Sequence, residues 1–323
     1  MTAAGWQLDY TSMAHDLSAW TTFLPSALRL DHLFQSLPEA PKPALSPEDP
    51  AAIQPDAPPL PVPDALLQPG LITDIRIDLT TSCNLRCVYC AVIQPGYVGE
   101  TMEPDVIRSG ITFIRKISRY HEISGVGVNG HGETTFAPDW TRACRELVAL
   151  GLPVNIITNL AKPYSTDELD VLGSLHTISV SIDTADRELL RRIRRRVDVR
   201  QIISNIIAVR AAAFRHNRPS PRFQFFCGLY DKNTPIIEDL AWLAIALNIQ
   251  KVQFWDLLAH SYEGLDVPEQ DRVYPLASLP DEELRPRLEA ISRATTVLRR
   301  ADVAVEIDGP FIADLRRRVG LHA

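Results

Sequence analysis

The chain predicts an α/β fold of parallel strand–helix units, and three observations predict it. Six apolar runs, at 72–79, 125–129, 153–158, 176–182, 221–228 and 250–257, have the length and texture of strands. Helical patterns near 104–120, 138–150, 165–173, 199–216 and 235–248 lie between them. Polar and sulfur-bearing residues gather at the C-terminal ends of those runs, one run after another. Alternating units of this kind imply parallel pairing, because a parallel neighbour is reached only through a crossover. The outcome is a barrel or an open doubly wound sheet, and in both the functional groups collect on loops beyond the strand C-termini.

The flanks read differently. Leu17, Trp20, Leu24, Leu28, Leu33 and Leu37 recur at roughly helical spacing, broken by Pro25, which predicts an amphipathic arm over residues 1–37. Between Pro38 and Pro69 there are 11 prolines in 32 residues, so residues 38–70 form a linker or wrapping segment rather than helix or sheet. The core spans 71–260. A C-terminal extension, 261–323, carries a helix near 281–300, a candidate strand at 302–307 and a short helix near 310–318.

Composition excludes several classes. At 323 residues, 46% apolar and 23% charged, the chain has the make-up of an ordinary soluble globular protein. A net charge of −7 argues against a nucleic-acid partner, which needs a basic footprint. The run from Leu190 to Arg196 is the local exception, and by itself it reads as a solvated helix face. No apolar stretch reaches membrane-spanning length, and Asp9 and Asp16 do not suit a signal peptide. Five cysteines, three of them crowded together, suit metal binding in a reducing cytoplasm better than disulfides.

Those three stand in Cys83-Asn84-Leu85-Arg86-Cys87-Val88-Tyr89-Cys90, directly after the first apolar run. The C-x3-C-x2-C spacing supplies three thiolates from one loop, with no fourth ligand beside them. Iron–sulfur clusters otherwise tend to take four cysteines, and an open metal position separates a catalytic site from a closed structural one. A closed zinc site is the alternative. It needs a fourth ligand, yet Cys144 and Cys227 stand alone and His121 and His131 form no paired knuckle.

At these residues the chain resembles the radical S-adenosylmethionine (radical SAM) superfamily, whose members commonly carry an aromatic residue before the last cysteine, here Tyr89. The resemblance, which covers residues 71–260, implies a partial (β/α)6 TIM-like barrel there, flanked by the N-terminal helical arm and the short C-terminal extension read above. It implies one [4Fe-4S] cluster on Cys83, Cys87 and Cys90, its open iron chelated by the amino and carboxylate groups of S-adenosylmethionine. Reduction then splits the sulfonium to a 5′-deoxyadenosyl radical.

Further residues follow from the same resemblance. Gly132 and Glu133 match a Gly-Gly-Glu-Pro segment that contacts the cofactor's amino group, with His131 and Thr134 in place of its first glycine and its proline. Asn159 closes the third strand in the family's Thr-Asn, and Ser181 and Asp183 match its Ser-x-Asp. Ser181 then meets the ribose or carboxylate, and an arginine of the following helix pairs with the carboxylate, Arg192 as first choice and Arg194 as second. Cys227 is a candidate hydrogen-atom donor, although a buried cysteine is also a small hydrophobe. His131, Trp255, Asp256 and His260 are candidate substrate contacts.

The expected function is therefore a radical SAM enzyme. It cleaves S-adenosylmethionine and abstracts hydrogen from an unreactive C–H bond of a small molecule or peptide, leading to epimerisation, rearrangement, elimination or C–C bond formation. The expected electron donor is a flavodoxin or ferredoxin. No second cysteine cluster lies in 261–323, so no auxiliary cluster is expected there. The competing readings are a non-enzymatic electron-transfer protein and a degenerate binding module.

Overall fold

Seven strands pair in parallel in strict chain order, from β1 (Asp74–Ile77) through β2 (Gly125–Val128), β3 (Val154–Thr158), β4 (Thr177–Ser181), β5 (Arg222–Leu229) and β6 (Lys251–Asp256) to β7 (Ala304–Ile307). The computed structural model describes residues 72–257, 261–307 and 309–321. The expected arm at 1–37, the proline-rich segment at 38–70 and His260 lie outside the described residues.

Burial follows position in the sheet. β4, flanked on both sides, buries four of its five residues, whereas the edge strands β1 and β7 alternate exposed and half-buried residues. Among the described pairings β1 meets only β2 and β7 meets only β6, so the sheet is not closed into a ring. A seventh strand extends the six expected units. The 302–307 segment joins the sheet, with Lys251 opposite Ala304 and Phe254 opposite Ile307. A long helix after β6, Asp281–Arg300, provides the crossover that delivers it.

Helices separate the strands and carry their own signals. α1 (Pro104–Ile117) has proline at its start and buries Ile107, Ile111, Ile114 and Ile117, a stripe at helical spacing. After α2 (Trp140–Ala149), α3 (Thr166–Leu172) begins with a capping box between Ser165 and Glu168. α4 (Arg187–Arg194) is capped by Asp186, which accepts from the Leu189 N–H at 2.6 Å. It ends in two successive residues with positive φ, Arg195 (51°) and Arg196 (56°). α5 (Val199–Arg215) and α6 (Ile237–Ala246) complete the core, and α7 (Asp281–Arg300) packs on α6 and on α8 (Gly309–Arg318). No helix among the described residues is long and apolar enough to cross a membrane.

The start of the extension belongs to the core. Tyr262, Val267 and Val273 share a buried cluster with Val88, Ile193, Tyr230 and Leu257, and Tyr89 packs against it. Residues from the cysteine loop, α4, the end of β5 and the extension thus meet in one apolar floor. Burying each such side chain contributes about 1.5–3 kcal/mol, so the cysteine loop rests on a well-anchored base.

Candidate cofactor site

The cysteine loop leaves β1 at the C-terminal edge of the sheet and is closed at its base by the chain that follows. The Thr81 N–H donates to the Glu100 carbonyl (2.8 Å), the Met102 N–H to Leu79 (2.9 Å) and the Tyr97 hydroxyl to Thr81 (2.7 Å). Within the loop the Leu85 N–H points at Cys83 Sγ (3.4 Å) and the Cys90 N–H donates to the Cys87 carbonyl (3.0 Å). Arg86 Nη1 donates to the Cys83 and Leu85 carbonyls at 2.8 Å each. Cys87 is buried, while Cys83 and Cys90 are half-buried.

Two glycines let the end of β2 close on this loop. A Cβ at Gly130 would sit 1.7 Å from the Asp78 carboxyl carbon, and one at Gly132 would sit 2.3 Å from the Ser82 carbonyl oxygen. The space saved at Gly132 therefore admits the backbone just before Cys83. Two hydrogen bonds fix that approach, Gly132 N–H to Thr80 (3.2 Å) and Glu133 N–H to Ser82 (2.9 Å). His131 is exposed, with its N–H on Asp78 Oδ2 at 3.2 Å.

The Glu133 side chain turns inward. Its buried carboxylate accepts from the Thr135 N–H (3.1 Å) and hydroxyl (2.8 Å), the Thr158 hydroxyl (2.7 Å) and the Asn159 N–H (2.6 Å). Asn159 Nδ2 then donates to Asn84 Oδ1 at 2.8 Å, which ties the third strand end to the cysteine loop. The expectation of a cofactor contact did not anticipate these partners. Thr158 stands in the Thr-Asn pair that marks Asn159, whereas Thr135 and Asn84 carry no signal of their own.

At the fourth strand end Asp183 is fully buried and holds three donors. Arg194 Nε and Nη2 reach its two oxygens at 2.8 and 2.9 Å, and the Tyr89 hydroxyl donates to Oδ2 at 2.6 Å. Arg192 does not join them. Its guanidinium binds Asp271 Oδ1 (2.7 Å) and the Gln270 carbonyl (2.5 Å) on the surface, because its side of α4 faces the 268–272 turn. Ser181 is half-buried at the end of β4. A cavity of about 370 Å³ opens beside Cys83 and Asn84, and the arginines on its wall are Arg86 and Arg196. Arg196 was not singled out from the sequence, since nothing in a run of arginines reveals the backbone turn that aims it there.

The remaining candidates lie further along the edge. Cys227 is fully buried, its thiol 3.5 Å from the Asp183 carbonyl and 3.6 Å from Asn233 Nδ2, and burial pushes its pKa well above the ordinary thiol value. Trp255 is exposed on β6 and leans over Gly228, and Asp256 beside it is half-buried.

The three thiols suit a cluster's donor set. Burial pushes Cys87 up to about 12; the Arg194 cation opposes that effect, and Cys90 and Cys83 add to it. Coordination removes the proton from such a thiol outright. Among the described residues no three His, Cys, Asp or Glu side chains close on one metal position.

Comparisons with known proteins agree with this geometry. A family model for the radical SAM superfamily matches residues 77–231. The chain is 30% identical over 124 residues to a probable GTP 3′,8-cyclase of Pyrococcus abyssi, a match covering 38% of each chain. It is 29% identical over 147 residues to molybdenum cofactor biosynthesis protein 1 of Drosophila melanogaster, covering 42% of this chain and 24% of that protein. Both matches span well under half of the relative's length. In structure it is similar to Streptococcus suis SuiB bound to S-adenosylmethionine, with a TM-score of 0.58 at 16% identity, over 77% of this chain and 53% of that one. It is also similar to the coproporphyrinogen III oxidase of Escherichia coli, described as a radical SAM enzyme, with a TM-score of 0.50 at 13% identity, over 74% of this chain and 55% of that one. With its cysteine triplet inside the matched segment, this chain carries a radical SAM superfamily domain over residues 77–231, that of an enzyme whose cofactors are a [4Fe-4S] cluster and S-adenosylmethionine.

Proposed function

We propose that the enzyme splits S-adenosylmethionine reductively and removes a hydrogen atom from an unreactive C–H bond of a small molecule or peptide, with electrons delivered by a flavodoxin or ferredoxin. One observation carries the reading. The cysteine loop is braced by residues from the next three strand ends, Gly132 and Glu133, Asn159, and Asp183. When bound, the cofactors supply the electron and the 5′-deoxyadenosyl radical, and this chemistry is theirs.

The chain's own residues bind, orient and exclude water. In this reading the backbone at Gly132 and the side chains of Asn159 and Ser181 line the cofactor's bed. Arg196, on the cavity wall beside Cys83, takes the carboxylate role first expected of Arg192, since a guanidinium pairs with a carboxylate in both charge and shape. The name of the cyclase relatives supports a small-molecule substrate, and that of SuiB bound to its precursor peptide supports a peptide.

The test is anaerobic reconstitution followed by incubation with S-adenosylmethionine, a reductant and deuterated candidate substrates. Deuterium appearing in 5′-deoxyadenosine supports the reading. Cleavage with no label from any candidate, and substrate conversion without 5′-deoxyadenosine, both count against it.

A further inference from the structure

The seven strands pair in strict chain order, so each crossover advances the sheet by one place in the same direction. Crossovers of this kind are right-handed, which puts every helix on one face of the sheet. Neighbouring helices touch in turn on that face, α1 on α2, α2 on α3 and α3 on α5. Beneath them lie Ile178, Val180, Phe223, Phe225, Val252 and Phe254, all buried. The alternate residues of the same strands face the concave side, away from the helices.

Between β4 and β6 that concave side is not an apolar core. Ser179 stands opposite Gln224, Ser181 opposite Phe226, and Phe226 opposite Gln253. Ser179 is 7% exposed, yet neither it nor Ser181 nor Gln224 has a side-chain hydrogen bond among the described residues. Buried polar groups are nearly always paired, so open ones on a wall beside a cofactor site are available to a ligand. One layer nearer the strand ends, Trp255 is paired with Gly228 and is 36% exposed. Its ring folds over β5, 3.5 Å from where a Cβ on Gly228 would stand. The exposed part of the ring is free to stack.

Charge is spent elsewhere. Lys251 and Glu306, the charged residues of this face on β6 and β7, pair with each other, and Gln253 Nε2 donates to Glu306 at 3.0 Å. Arg222 stands at the far, N-terminal end of β5. Toward the strand C-termini the wall thus offers ring surface and neutral hydrogen-bonding groups. β6 lies two strand spacings from β4, about 10 Å, so a ring on Trp255 sits one small molecule away from Ser181.

We propose that Trp255, with Phe226 and Gln224, forms a substrate platform that takes an uncharged ring with an apolar face and a hydrogen-bonding edge, such as a nucleobase or a sugar. This rests on the reading above, which sets S-adenosylmethionine beside Ser181.

The test is isothermal titration calorimetry of the anaerobically reconstituted holoenzyme with S-adenosylmethionine already bound, using inosine, uridine and glucose as probes. At least one probe binds saturably; a nucleoside identifies the ring as a base, and glucose identifies it as a sugar. Trp255→Ala weakens that binding about tenfold or more, and Gln224→Ala weakens it about threefold or more. Iron content and affinity for S-adenosylmethionine stay at wild-type values in both. Where Trp255→Ala loads less iron than wild type, Trp255→Leu keeps apolar bulk without the ring and gives the same comparison. Three results overturn the proposal: no probe binds, the variants bind the probe as wild type does, or they lose affinity for S-adenosylmethionine, which would make the platform part of the cofactor's own bed. A wild-type protein that takes up no cluster or no S-adenosylmethionine is a different failure, seen before any probe is added, and it falls on the cofactor reading.

Discussion

The Glu133 carboxylate accepts the Asn159 backbone N–H at 2.6 Å, joining the ends of β2 and β3 beneath the cysteine loop. Neither residue alone explains the arrangement. Glu133 is buried and collects donors from Thr135 and Thr158 as well, so it serves as a hub on which two strand ends and the cysteine loop depend.

Glu133→Ala is therefore expected to cost about 3 kcal/mol, because several buried donors lose their acceptor at once. Glu133→Gln keeps one acceptor oxygen and should cost less. Urea unfolding of the apo-protein measures both, and equal effects would mean that the charge, not the acceptor set, matters.

Gly132→Ala places a methyl group 2.3 Å from the Ser82 carbonyl and 2.4 Å from that of Thr80, a clash only backbone movement relieves. Bound iron per chain after reconstitution should fall by at least about half, since the cysteines follow within the same loop. Gly110→Ala is the control. Its Cβ meets nothing within 4 Å in the middle of α1, so stability should rise by about 0.5–1 kcal/mol with iron unchanged.

Arg192 and Arg194, two residues apart, should differ sharply. The Arg192–Asp271 pair lies at the surface, and Arg192→Ala should cost about 1 kcal/mol or less. Arg194→Ala strands Asp183 in the interior and should cost about 3–5 kcal/mol. Chemical denaturation ranks them, and the reverse order would refute the assignment of α4's buried face.

Acid lability should trace to Asp198. Burial pushes its carboxyl up, but hydrogen bonds from Arg187 and the Arg200 N–H outweigh that and hold it below the usual range. A depressed folded-state pKa contributes stability above the unfolded value of about 3.9 and loses it as pH falls through the folded value. Asp198→Asn should thus be less stable than wild type at neutral pH, with the gap closing below about pH 3.9. A gap that stays constant across that range would contradict the pairing.

Much of this was legible because each signal was local. Buried strands leave apolar runs, Ser165 and Glu168 announce a helix start, and three cysteines at fixed spacing announce a metal. The choice among arginines was half legible. Leu190, Ile193 and Arg194 fall at i, i+3 and i+4, the spacing of a buried stripe, while Arg192 lies off it. Glu133's donors were not legible, because Thr158 and Asn159 come from another strand and only register brings them near. The seventh strand was short and half-exposed, so its sequence marked a strand without marking its place beside β6.

On this assignment Cys83, Cys87 and Cys90 hold a cluster with one iron open to S-adenosylmethionine. The most direct measurement is the electron paramagnetic resonance spectrum of the reduced, reconstituted protein before and after S-adenosylmethionine is added. The expected result is about four irons per chain, a signal that changes when S-adenosylmethionine binds, and no cluster in Cys87→Ala. A spectrum indifferent to S-adenosylmethionine, or a cluster that survives Cys87→Ala, would contradict it.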